Sequence, residues 1–191
     1  STDREYLVPH FEKMLYDNAM LSYAYAQSGM FDVARRTLDF CMNELWAPEG
    51  AFYTAFDADS EGVEGKYYLF TPKEIESILG TRDGKRFCEI YNITKSGNFE
   101  GSNIPNLIKT GPLNGPDETF ASTCRKAVYE ERKKRVPPAR DEKILLSSNS
   151  LMISALATAG RMMNESKYTT AALSVTDFIR DNMIKDGRLY S

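Results

Sequence analysis

The only histidine among the 191 residues, His10, stands in the run Val8-Pro9-His10-Phe11-Glu12-Lys13-Met14-Leu15-Tyr16-Asp17-Asn18. An imidazole titrates near neutrality, so with Glu12, Lys13 and Asp17 close by it is the first candidate for proton transfer. The same side chain could instead cap a helix or bond a backbone carbonyl. A second concentration of reactive groups is the acidic stretch Asp57, Asp59, Glu61 and Glu64, broken by Gly62 and Gly65. Glycosidic hydrolysis needs paired carboxylates, one of them held protonated, and Asp57 or Asp59 is the expected partner of His10. The stretch opens like a calcium-binding loop, but Tyr68 stands at the twelfth position where a bidentate Glu is required, and no metal site is expected. A turn accounts for the same residues, since Asp and Ser favour turn backbones and the glycines supply positive φ.

Around these groups lie residues that could hold a ligand. Tyr53 and Tyr67 could form a platform for a sugar ring, or could be cross-strand pairs. Asn98 and Glu100 sit within Gly97-Asn98-Phe99-Glu100-Gly101, where glycines let the backbone approach a ligand. Asn18 recurs as Asn149, and an amide at the start of a helix caps its first turn. The candidate set is therefore His10, Glu12, Asp57 and Asp59 for catalysis, and Tyr53, Tyr67, Asn98, Glu100 and Asn18 for binding, with no cofactor.

The elements that must position them are mostly helical. Asn18 to Gln27 is apolar nearly all round, which suits an inner helix, and Phe31 to Trp46 has one apolar stripe, which suits an outer one. Pro48-Glu49-Gly50 is a turn, and Ala51 to Phe56 is expected to be a strand pairing with Lys66 to Phe70. Thr71, Pro72 and Glu74 form a capping-box pattern opening a helix to Leu79. Helices are also expected from Gly84 to Tyr91 and from Asp117 to Arg135, with a long Gly-, Asn- and Pro-rich loop between them. The pattern then repeats. Asn149 to Gly160 aligns without gaps on Asn18 to Gly29, Ser166 to Met183 matches the outer helix, and Asp186 to Ser191 matches Glu49 to Thr54. One such hairpin cannot bury its inner face alone, so the units must stack or close into an α/α toroid.

Composition narrows the function classes. A formal charge of −3 with interspersed signs gives no footprint for nucleic acid. The basic run Arg132-Lys133-Lys134-Arg135 closes a helix, where cations complement the dipole. No apolar run approaches the roughly 20 residues of a membrane span, and the first residues lack the apolar core of a signal peptide. Cys41, Cys88 and Cys124 are an odd number without C-x-x-C spacing, as expected of reduced thiols in the cytoplasm.

Val8 to Ala19, Asp57-Ala58-Asp59-Ser60-Glu61-Gly62 with Glu64-Gly65-Lys66-Tyr67-Tyr68, and Gly97 to Gly101 closely resemble the spermatogenesis-associated, thioredoxin-domain-containing protein family. That resemblance implies a fold: a thioredoxin-like domain followed by a six-hairpin α/α barrel, similar to six-hairpin glycosidases and N-acylglucosamine 2-epimerases. By this likeness residues 1–191 are a single partial domain from the middle of the barrel, with a short β-hairpin inserted after the first helical hairpin and the thioredoxin-like domain absent. The chain departs from the family at Ser148-Asn149-Ser150, where a Trp-Asn-Gly-like triplet is usual. Two functions are in view. One is hydrolysis or epimerisation of a carbohydrate; the other is a non-catalytic helical module that binds a ligand or partner. Unpartnered inner faces would also favour self-association.

Overall fold

A computed structural model describes residues 2–190. In chain order the elements are β1 (Lys13–Met14), α1 (Leu15–Gln27), α2 (Phe31–Phe40), β2 (Ala55–Phe56), β3 (Asp59–Ser60), β4 (Val63–Glu64), α3 (Pro72–Leu79), α4 (Thr81–Ile90), α5 (Gly115–Arg132), β5 (Arg140–Asp141), α6 (Leu146–Met163), α7 (Ser166–Asn182), β6 (Ile184–Lys185) and β7 (Arg188–Leu189). The protein is thus mainly α, with small antiparallel pieces. Two compact units share the chain: the first holds the residues up to Phe11 with Ala58–Ala139, the second Glu12–Asp57 with Arg140 onward.

The second unit contains both repeats. α1 packs on α6, and each packs on its own outer helix, α2 or α7. Leu15, Leu38, Leu45, Phe52, Met152, Leu156, Tyr168 and Val175 are all fully buried in one cluster. Polar contacts tie the outer helices: Arg35 pairs with Glu165 at 2.8 Å, and Asp39 accepts from Tyr168 at 2.8 Å and Lys167 at 2.6 Å. The outer helix expected over Phe31 to Trp46 ends in a π-helical turn, Cys41–Leu45. α1 does not have the higher burial expected of an inner helix. It buries Leu15, Ala19, Ser22 and Ala26 but leaves Met20 59% and Leu21 48% exposed.

The expected strand pairing is corrected. β2 sits between β1 and β5, with Met14 and Asp141 both opposite Ala55, and does not meet Lys66 to Phe70. That segment is a 3-10 turn, Lys66–Tyr68, because Gly65 adopts φ +73° and Tyr68 N–H returns to the Gly65 carbonyl. A Cβ at Gly65 would lie 2.7 Å from the Phe11 ring, so only glycine fits there. The short hairpin that does follow the first helical pair is β3 with β4, inside the acidic stretch.

In the first unit α3, α4 and α5 enclose Phe70, Ile75, Phe87, Cys88, Ala121 and Cys124. The capping box forms as its sequence dictates: Glu74 N–H donates to Thr71 Oγ1 and Thr71 N–H to the Glu74 carboxylate. α4 begins at Thr81 and α5 at Gly115, earlier than the apolar stripes indicate.

Candidate functional site

The acidic hairpin, the 3-10 turn, the start of α3, the Gly97 to Gly101 loop and the chain after α5 surround a cleft of about 720 Å³ in the first unit. Its wall is held by Arg135, whose guanidinium donates to the carbonyls of Tyr67 at 3.1 Å and Leu69 at 2.7 Å and to Glu74 at 3.2 Å. One planar, always-charged group thereby fixes the turn to α3, which a lysine point charge would not do. Ser60 Oγ donates to the Val136 carbonyl at 2.6 Å and closes the other side. At the rim, Lys66 pairs with Glu61 at 2.7 Å. Val63, Tyr67, Leu69 and Val136 give the cleft its apolar surface, and Glu61, Lys66, Glu100, Ser102 and Lys134 its polar one.

The loop that carries Glu100 is built from amides. Asn103, fully buried, accepts from Thr94 N–H at 2.9 Å and donates to the carbonyls of Phe70 at 3.1 Å and Thr94 at 3.0 Å. Asn98 accepts from Ile104 N–H at 2.8 Å and donates to its carbonyl at 3.1 Å. Gly97 is required, since a Cβ there would meet the Ser102 carbonyl at 2.7 Å. Glu100 itself sits at φ +45°, with its side chain exposed beside the cleft.

Of the candidates read from sequence, Tyr67 and Glu100 line this cleft. Tyr67 is 9% exposed, packed edge-on against Tyr68 at 5.1 Å and covered by Arg132 at 4.9 Å. Asn98 is part of the loop's own hydrogen bonding. His10 and Asp59 lie in the same unit, are exposed, and are outside the cleft lining. The run holding His10 is anchored by its neighbour Phe11, 2% exposed, which stacks with Tyr68 at 6.1 Å and meets Phe99 at 5.6 Å. Asp3 shapes the approach by accepting from Leu7 and Val8 N–H at 3.0 Å each.

Glu12, Asp57, Tyr53 and Asn18 belong to the second unit. Glu12 and Asp57 are exposed, and Tyr53 lies under the Arg140 guanidinium at 4.5 Å. Asn18 does not cap free N–H groups. Its amide donates to the Met14 carbonyl at 2.7 Å, and Asn149 makes the same bond to Leu145 at 3.0 Å. Sequence reasoning misses Arg135 and Asn103. Arg135 reads as part of a basic helix end, although its place at the very end of the run is a signal that it can reach elsewhere.

None of the three thiols has the character of a nucleophile. Burial pushes Cys41 up to about 12 and Cys88 up to about 11, and it raises Cys124 as well. Among the described residues no group of His, Cys, Asp and Glu has the arrangement of a metal site, and no helix is long and apolar enough to cross a membrane.

No protein-family model matches the chain. Curated proteins do. Spermatogenesis-associated protein 20 of Homo sapiens is 32% identical over 231 residues, covering 99% of this chain and 29% of the human protein. The Mus musculus protein of that name is 30% identical over 235 residues, with the same coverage. Uncharacterized protein B0495.5 of Caenorhabditis elegans is 26% identical over 230 residues, covering 99% of this chain and 31% of its own length. The chain therefore spans under a third of the relatives it matches, and along nearly all of its own length it is homologous to a part of Spermatogenesis-associated protein 20.

Proposed function

We propose that this chain is a segment of an α/α toroid of helical hairpins and acts as a binding module, with a carbohydrate or related hydroxyl-rich molecule as ligand of the first unit's cleft. The observation that carries this reading is the cleft itself: about 720 Å³, within the size range of small-molecule sites, with carboxylate, ammonium and hydroxyl groups set around an apolar floor. A sugar has this pattern of hydroxyls and C–H faces. Arg135 and Asn103 hold the walls before any ligand arrives, which lowers the ordering cost of binding.

Binding is favoured over catalysis by where the acid–base candidates lie. His10 and Asp59 are outside the cleft lining, and Glu12 and Asp57 are exposed side chains of the other unit. Side-chain NMR or thermal-shift titration against neutral and acidic sugars tests the proposal. At least one class should bind, and Glu100→Gln or Lys66→Met should weaken it about tenfold, as for loss of one charged hydrogen bond. His10→Ala should leave binding unchanged. No binding at millimolar sugar would overturn the reading, and turnover of a bound sugar that vanishes in His10→Ala would replace it with the catalytic one.

A further inference from the structure

An asparagine carries its own electrophile, because its side-chain carbonyl carbon lies within ring-forming reach of the next residue's backbone nitrogen. Hydrogen bonds to the amide hold most asparagines of this chain away from that reaction. Asn149, followed by the small Ser150, is fully buried with both amide atoms engaged. Asn98, Asn103 and Asn106 each accept a backbone N–H and donate to a backbone carbonyl. Asn18 and Asn182 donate to the carbonyl four residues back.

Asn114 differs in every one of these respects. It is the only asparagine followed by glycine, as Asn114-Gly115. It stands exposed at the N-cap of α5, extended at φ −147° and ψ 169°, and its side chain makes no capping bond. Gly115 is the first residue of α5, so its N–H has no partner inside the helix, as at any helix start, and among the described residues it has none outside it. With φ +51° and nothing within 4 Å of where a Cβ would stand, Gly115 leaves the approach to its nitrogen uncrowded.

We propose that Asn114 is a self-modifying site, at which the chain deamidates in water and so loosens the start of α5. The Gly115 nitrogen gives its proton to solvent base and bonds to Asn114 Cγ; the Cγ–Nδ2 bond breaks, and ammonia leaves with a proton from water. A five-membered succinimide results. Water then adds to one of the two ring carbonyl carbons and breaks its bond to the Gly115 nitrogen, which regains a proton. Opening at Cγ gives an aspartate; opening at the main-chain carbon gives an isoaspartate, whose backbone runs through Cβ and Cγ. Water is the only co-reactant, and nothing is oxidised or reduced. Either product adds a negative charge at the positive end of α5. The isoaspartate also lengthens the main chain by one carbon, which displaces the Asn114 carbonyl from the Glu118 N–H that reaches it at 3.3 Å. That first turn brings Asp117 to Arg86 at 2.6 Å and Phe120 under the same guanidinium at 4.2 Å, so its loss slackens the tie between α4 and α5. None of this depends on the cleft's ligand.

The chain, held in warm, mildly alkaline buffer and digested at intervals, should show a gain of one dalton confined to the peptide that holds Asn114, resolved by chromatography into two products. In heavy-oxygen water the gain should be three daltons, since one oxygen comes from solvent. Asn114→Ser keeps a capping side chain without the reactive amide, so its peptide should gain nothing while the variant folds as the parent does. Gly115→Ala should slow the gain at least about tenfold by setting a Cβ beside the attacking nitrogen. In urea the Asn149 peptide should begin to gain as well, once its buried bonds are gone. Hydrogen exchange of the aged chain should quicken from Gly115 to Phe120 and stay unchanged in α6. An Asn114 peptide that keeps its mass in the folded chain while the free peptide converts, or an Asn149 peptide that changes as fast as it does in the folded state, would overturn the site. Unchanged exchange at the start of α5 in the aged chain would overturn its consequence.

Discussion

The two units hold themselves together by different means. In the second, side chains of every helix reach full burial, ion pairs tie the outer helices, and a single buried amide, Asn149, holds backbone between the repeats. In the first, Ile75 and Ala121 are fully buried, Phe70, Phe87, Cys88, Ile90, Tyr91 and Ile93 keep 3% to 9% exposure, and the irregular backbone is held by Arg135, Asn98, Asn103 and Ser60 reaching carbonyls and N–H groups. Apolar burial tolerates any shape that packs, but each amide and guanidinium contact fixes a particular backbone atom. The lesson is a division of labour: the repeat unit supplies a rigid frame, and the hydrogen-bonded unit holds a cleft in shape.

The largest test of that contrast is a core deletion in the repeat unit. Leu156→Ala should cost about 2 to 5 kcal/mol, read as a shift in urea midpoint, because a fully buried leucine leaves a cavity. A cost near that of a surface change would mean the repeats are not the frame. Next comes Asn103→Ala, which should cost about 1 to 3 kcal/mol by leaving the Phe70 and Thr94 groups without their partner. Hydrogen exchange should quicken in the Thr94 to Ser102 loop and leave α1 and α6 unchanged. If protection falls equally in both units, the contrast is lost.

The last effect is nil at neutral pH and enters only in alkali. Cys41 titrates at about 12 when folded against an ordinary 9.0, so the folded state holds its proton where the unfolded state has released it. The stabilisation is whole below about pH 9 and falls as pH rises towards 12, by roughly 1 kcal/mol per pH unit once the unfolded thiol has ionised. Tyr168, raised by burial and by its bond to Asp39, adds a loss of the same sign at higher pH. Denaturant titrations at stepped pH, with Cys41→Ala as the control that removes the first slope, measure this.

Much of the fold is legible in the sequence because it is written in local patterns. The capping box at Thr71 forms as read, and the repeat of Asn18 to Gly29 at Asn149 to Gly160 reappears as matching hydrogen bonds. Strand pairing is not legible. Ala51 to Phe56 has the composition of a strand, but its partners Lys13–Met14 and Arg140–Asp141 are chosen by the packing of helices far away in sequence. The candidate site is legible in residue type at Tyr67 and Glu100, and unreadable in placement at His10, where the neighbouring Phe11 is what the interior takes. Asn149 reads as a cap because amides commonly are, and no local signal announces that its partner is Phe52, 97 residues away.

The pairing of β2 with β5 has a consequence for how the chain folds. Phe56 and Arg140 are opposite one another, so the points where the backbone leaves and rejoins the second unit stand one strand spacing apart. Closing so long an intervening segment as a loose loop would disfavour the pairing, since closure entropy grows with length. Once residues 58–139 have folded together with the segment that ends at Phe11, that penalty shrinks to that of a short connection. Order in the inserted unit should then speed the meeting of the two repeats, and a tight turn spliced between Phe56 and Arg140 is expected to leave their register intact, as circular dichroism and refolding rates of the spliced chain would check.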